Sequence, residues 1–170
     1  MTELPLKQFV PSKVCLKCDG CCRYKTADSP WRPKLGARDC EGLGALITAG
    51  NAMDGQSYVK TAPSCGQHIC MFLEEKDNTC GIYSRRPLEC FLYPFILSKT
   101  ADALKVYVHL ACPYIQDHLS RPDYEAYVLY LREFFRREDV RRVLAQNSAM
   151  LHDYTAYTPE LLRLFDLTSL

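Results

Sequence analysis

The run Cys15-Leu16-Lys17-Cys18-Asp19-Gly20-Cys21-Cys22 places four thiols in eight residues. No other feature of the chain limits its folding as much. Two residues between thiolates let one tight loop present both sulfurs to a single metal centre. On a helix, Cys15, Cys18 and Cys22 share one face and Cys21 points away. On a loop, Cys15, Cys18 and Cys21 converge, as in ferredoxin-type runs. Gly20, which permits a turn with positive φ, and the lack of an apolar helical stripe favour the loop. Cys21 and Cys22 are adjacent, and neighbouring side chains of an extended segment point to opposite faces. One of the pair is therefore expected to serve a second centre, stay a spare thiol or do redox chemistry. Lys13, Lys17, Arg23 and Lys25 flank the run, and positive neighbours favour the thiolate. The same four residues also suit a plain solvated surface.

There are 10 cysteines among the 170 residues. Five disulfides would suit a secreted chain, whereas many thiols in a reducing compartment point to metal ligation or redox chemistry. The first 14 residues lack a basic start followed by a long apolar stretch, so a secretory signal is not expected. No apolar run approaches the roughly 20 residues that span a bilayer. The expected location is cytoplasmic, with no membrane partner. Lys and Arg total 21 against 20 Asp and Glu, a formal net charge of +1. That balance gives nucleic-acid binding no support.

Residues 1–14 read as an extended leader, and 26–66 as irregular and rich in turns, with a weak short helix over 43–52. Cys70 to Leu73 and Cys80 to Tyr83 read as paired short strands around a polar turn. Pro87 suits the first turn of a short helix that carries Cys90. Phe95 to Ser98 begins an extended run. Leu104, Val106, Val108 and Leu110 alternate with polar or amphipathic residues, the clearest strand pattern present, after a hairpin turn at 99–102. Beyond Pro122 the spacing of Tyr124, Val128, Leu131 and Phe135 predicts a helix with Asp123 as its N-cap. A second helix is expected over 139–147 and a short last one over 159–165. Arg132, Arg136, Arg137, Arg141 and Arg142 give this tail a basic face, read by default as solvated.

Cys15-x-x-Cys18-x-x-Cys21-Cys22, Cys70-x-Phe72-Leu73, Cys80-Gly81-Ile82-Tyr83-x-x-Arg86-Pro87-x-x-Cys90, Pro94-Phe95 and Cys112-Pro113 together resemble the YkgJ-like cysteine-cluster family, the zinc- or iron-chelating CxxCxxCC domain. The resemblance spans roughly residues 15–113, and any one C-x-x-C alone would be weak. It implies a metal-chelating domain whose ligands are Cys15, Cys18, Cys21, Cys22, Cys70, Cys80, Cys90 and Cys112. Cys40 and Cys65 fall outside the shared pattern. Four-thiolate sites accept zinc or iron–sulfur centres alike. The three C-x-x-C-spaced cysteines with distant partners lean towards a [4Fe–4S]-type cluster. Arg86 has two readings: a structural partner of a carboxylate or carbonyl, or a donor towards cluster sulfurs or an anion. The histidines show no ligand spacing, His68 being the best outsider.

The expected fold is α+β: a loop-rich cysteine-cluster domain over 1–121 with short strands, and a helical extension over 122–170 packed on it. Metal binding should be part of folding, since the loop-rich residues 15–70 are expected to offer little apolar surface of their own. The leading function is chelation of an iron–sulfur cluster or zinc. The alternatives are a cluster-containing protein-modifying enzyme resembling flagellin lysine N-methylases, and a structural zinc adaptor docking a protein partner. No nucleotide-binding, P-loop, zinc-protease or radical-SAM spacing is present.

Overall fold

A computed structural model describes residues 6–18, 20–50, 52–101, 103–148 and 151–167, and only the backbone of residues 48–50. Helices and small antiparallel sheets are interspersed, the α+β class expected. The chain forms two compact units, Pro11–Cys90 and Met1–Val10 together with Phe91–Leu170. Among the described residues no helix is long and apolar enough to cross a membrane. Asp19 of the cysteine run and Asp102 of the expected hairpin turn lie outside the described residues.

The cysteine-rich unit is made of short pieces, as its turn residues dictate. Where an extended leader is expected, α1 (Ser12–Cys15) makes one helical turn behind Pro11. The amides of Val14 and Cys15 both donate to the Pro11 carbonyl, at 2.8 and 3.0 Å. β1 (Arg23–Tyr24), β2 (Thr61–Ser64) and β3 (Gln67–Cys70) form an antiparallel sheet of order β1-β3-β2. Cys65 and Gly66 link β2 to β3 with φ of 44° and 80°. That is the hairpin turn with left-handed backbone at both central residues. The weak helix expected over 43–52 is instead two, α2 (Ala37–Leu43) and α3 (Ala45–Gly50). Gly44, at φ 45°, breaks the chain between them. β4 (Leu73–Glu74) and β5 (Thr79–Cys80) form the second hairpin, and α4 (Leu88–Leu92) follows Pro87 as the sequence implies.

Tyr24, Leu35, Leu43, Ile47, Val59, Cys70 and Ile82 are buried together, with Trp31, Met53, Met71 and Phe72 packed against them. Burying one such large apolar side chain contributes about 1.5–3 kcal/mol relative to exposure. The unit therefore has an apolar core of its own, contrary to the expectation for residues 15–70. Apolar residues that show no period in the sequence are brought together here by turns.

In the other unit, β6 (Phe95–Lys99), β7 (Leu104–His109) and β8 (Leu161–Leu167) make an antiparallel sheet of order β6-β7-β8. The alternation across β7 is as read, and Val106 and Val108 are fully buried. Of the expected last helix over 159–165, Pro159 and Glu160 end a 3-10 helix, Thr155–Glu160, and 161–165 is strand. Leu161, Leu162, Leu164 and Phe165 fit either periodicity, and the open edge of β7 supplies a ladder that decides for the strand. α5 (Pro113–Gln116), α6 (Pro122–Arg136) and α7 (Glu138–Gln146) complete the unit. Asp123 is not the N-cap of α6. Arg121 holds that position, Pro122 is the first helical residue, and Asp123 sits in the first turn, where a carboxylate suits the helix dipole. Leu131, Phe135, Val140 and Leu144 are buried at the helix faces. Phe9 lies edge-on to Phe95, Tyr114 and Tyr124.

His109 is buried at the end of β7. Its Nδ1 lies 3.2 Å from the Tyr93 hydroxyl and its Nε2 3.5 Å from Glu160 Oε2. The neutral ring fits, accepting from Tyr93 and donating to Glu160. Burial holds its pKa below 6.5, against the pull of Glu160. The unfolded chain then takes up this proton first as pH falls. The contribution of His109 is complete above pH 6.5 and is lost as pH drops through the lowered value. Denaturant unfolding at about pH 7 and about pH 5 should show a loss in the parent that His109→Gln lacks. Equal losses in both proteins would refute this.

Candidate metal centre

Backbone and side-chain hydrogen bonds draw the distant cysteines into one neighbourhood. The Cys70 amide donates to the Cys22 carbonyl at 2.9 Å, which lays the first cysteine run along β3. Asn78, at the tip of the β4–β5 hairpin with φ 51°, donates through Nδ2 to the Cys18 carbonyl at 3.1 Å. Its Oδ1 accepts from Arg23 Nη1 at 2.7 Å. This clamp ties the loop of Cys18 to the hairpin that carries Cys80. Gly20 eases close packing on Cys18 and does not take the positive φ expected. A Cβ there would stand 3.2 Å from Cys18 Sγ, whereas the positive-φ glycines among the described residues are Gly44 and Gly66.

The carboxyl groups of Asp39 and Glu89 fix α4 and so Cys90. Asp39 accepts from the Leu88 amide at 3.1 Å and from the Gly36 amide at 2.9 Å. Glu89 accepts from the Lys34 amide at 2.6 Å. Burial raises both carboxyls, Glu89 to about 8. Sequence reading missed Asn78, Asp39 and Glu89. Asp39 carries a signal, an acid three residues after Gly36 at a helix start, which is the capping-box spacing.

All ten cysteines are unbridged. Seven of them, Cys15, Cys18, Cys21, Cys22, Cys70, Cys80 and Cys90, interact with one another through their charges. Cys22 is the hub, acting on Cys15, Cys21, Cys70, Cys80 and Cys90. Burial, reinforced by neighbouring thiolates, pushes up the thiols of Cys15, Cys80 and Cys90, and that of Cys70 to about 12. Cys22 goes the other way, to about 7, first because the Cys21 thiol donates a hydrogen bond to it and then because Arg23 and Arg86 lie near. The adjacent pair thus turns towards each other in place of the expected divergence to opposite faces. Residues 21 and 22 lie in a turn, where the extended-strand rule does not apply.

Arg86 packs on Tyr83 and reaches towards Cys15. Its guanidinium stacks 3.6 Å from the Tyr83 ring centroid, and Nε donates to the Tyr83 carbonyl at 2.8 Å. Nη1 reaches Cys15 Sγ at 4.0 Å, and the charge opposes the rise of the Cys15 and Cys80 thiols and helps lower that of Cys22.

Three cysteines remain, and Cys40 packs against the same apolar core as Cys22 and Cys80. Cys112 belongs to the other unit, where it is buried as the N-cap residue of α5. Cys40 is on α2, and its thiol is raised by burial and by Asp39. Cys65 is an exposed turn residue. His68 pairs with Tyr24 and Pro63 across β3. Replacing Cys40 with Ala should leave metal content unchanged. Cys65→Asn should do the same and hold or raise the melting temperature, since Asn tolerates positive φ in this turn better. Metal loss in either variant, read by elemental analysis, would refute the assignment.

The donor set suits a thiophilic cation. Several buried sulfurs raise one another's pKa, and a bound cation reverses that penalty by stabilising thiolates. Among the described residues no three Cys, His, Asp or Glu side chains already form a closed cation cage. A family model, CxxCxxCC, described as a putative zinc- or iron-chelating domain, matches residues 14–113. No curated protein and no solved structure matches the chain.

Proposed function

The chain belongs to the CxxCxxCC family of zinc- or iron-chelating domains, and from that premise we propose that it holds an iron–sulfur cluster, of the [4Fe–4S] type, through cysteine thiolates. The observation that carries this reading is the convergence of distant cysteine segments, the Cys70 amide on the Cys22 carbonyl and the hairpin of Cys80 on the Cys18 loop through Asn78. The ligands are drawn from the charge-coupled thiols Cys15, Cys18, Cys21, Cys22, Cys70, Cys80 and Cys90. When bound, such a cluster supplies one-electron chemistry.

The protein's own residues do the rest. Cys22, lowered by Cys21 and two arginines, is the thiol most ready to lose its proton. Arg86 offsets the negative charge of the assembled thiolates and is held in place by its stacking on Tyr83. Arg23 and Asn78 hold the Cys18 loop against the hairpin. Asp39 and Glu89 hold the helix of Cys90.

Anaerobic isolation tests the reading. Brown colour, with iron and acid-labile sulfide in equal stoichiometry, is the expected result. A colourless protein with stoichiometric zinc would replace the cluster by a structural ion. Arg86→Gln should weaken metal retention against a chelator by about 10–100-fold, the usual loss for an outer partner of metal ligands. Arg86→Lys should recover only part, because lysine keeps the charge but loses the planar fork and the stacking. Undiminished retention in Arg86→Gln would remove that role.

A further inference from the structure

Arg132, Arg136, Arg137, Arg141 and Arg142 follow one another along α6 and α7. The solvated face expected of them holds for only some. Arg137 is forked onto Asp139, and Arg142 pairs with Glu138 at 3.2 Å. Arg132, Arg136 and Arg141 instead line one cleft of about 300 Å³ formed by α6, α7 and the end of β8. That volume lies at the lower end of the range for small-molecule sites.

Phe135, Phe165 and Leu167 give the cleft an apolar wall. The Arg132 guanidinium carbon lies 5.1 Å from the Phe165 ring centroid. Its Nε is buried and has no hydrogen-bond partner among the described residues. A buried donor without an acceptor is costly, and native structures seldom leave one without a reason. The carboxylate that lines the cleft, Asp166, meets Arg163, whose Nε reaches it at 3.0 Å, in a pair that is itself well exposed. Arg136 meets Glu133 at 2.8 Å, but both side chains are more than half exposed, and such pairs hold weakly. Three arginines and one aspartate line the cleft, so its lining carries a formal excess of positive charge beside aromatic surface.

We propose that this cleft binds a small phosphomonoester carried on an apolar or aromatic body. Guanidinium forks match phosphate oxygens, and three cations match a dianion better than a single carboxylate. The apolar wall takes the body of the ligand. The site lies in residues 132–167, beyond the span of the metal-chelating family match, and it stands independently of which metal the cysteines hold.

Phenyl phosphate titrated into the full metal-loaded chain, followed by calorimetry or amide NMR shifts, tests the site. Saturable binding that weakens as salt is raised is expected. Inorganic phosphate and benzyl alcohol, each lacking half of the ligand, should bind at least about tenfold more weakly. Arg141→Gln, at a partly exposed position outside the core, should weaken phenyl phosphate about tenfold with metal content unchanged. Arg132→Lys should weaken it as well, because the fork is lost. The proposal is overturned by absence of saturable binding. It is equally overturned by inorganic phosphate binding as tightly as phenyl phosphate, or by full binding in the Arg141→Gln protein.

Discussion

Serine in place of Cys90 or of Cys18 removes the metal and weakens the cysteine-rich unit in one step. Cys90 interacts by charge with Cys22, Cys70 and Cys80, and burial is the first cause of its raised pKa. Cys18 is reached by the Asn78 side chain, which ties its loop to the hairpin of Cys80. A serine hydroxyl does not ionise near neutral pH and is a hard donor, so it cannot replace a thiolate towards a thiophilic cation. The expected loss of metal affinity exceeds about 100-fold, beyond what outer partners cost. Folding should weaken with it, because binding energy is folding energy where the site is absent from the unfolded chain. Elemental analysis and denaturant unfolding of the same preparations check both halves. Full metal content in Cys18→Ser and Cys90→Ser would exclude these residues as ligands.

Metal removal from the unaltered protein has the second large effect. Thiols brought together by the fold repel one another as thiolates and, without a cation, return to the protonated form. Stripping the metal with a chelator should cost the cysteine-rich unit at least about 3 kcal/mol, a fall in melting temperature of more than about 10 °C for a unit of this size. The apolar core of Tyr24, Leu35, Val59 and Ile82 keeps the loss from being total. Trp31, the single tryptophan of the chain, packs against that core and reports on this unit alone. Its fluorescence melt should shift on chelation and recover on restoring metal. Metal affinity should rise with pH, since binding expels thiol protons. A melt indifferent to chelator would deny the metal its structural share.

The parts that sequence revealed are those where side-chain period and backbone agree. The alternation of Leu104, Val106 and Val108 gave β7, and the stripe through Leu131 and Phe135 gave α6. Pro87 marked the start of α4. Reading failed where tertiary pairing chose between equal local options. Residues 161–167 suit helix or strand, and the free edge of β7 made them β8. Asp123 lost the cap to Arg121 because Pro122 supplied the first helical residue.

At the site, the cysteine spacing disclosed the chemistry, but the devices that assemble it were hidden. Asn78 acts across 60 residues on the Cys18 carbonyl, and no local pattern announces a clamp of that reach. The approach of Gly20 to Cys18 Sγ is equally invisible until the loop is folded. Cys65, outside the shared cysteine pattern, has a role that spacing does not show: in place, it is a left-handed residue of a hairpin turn.

X-ray absorption at the metal edge, on freshly isolated protein never exposed to chelator, puts the account to its most direct trial. Sulfurs from residues scattered between 15 and 90 should form the whole inner shell, at about 2.3 Å from the metal. A shell dominated by nitrogen or oxygen at about 2.0–2.1 Å, or no stoichiometric metal at all, would contradict it.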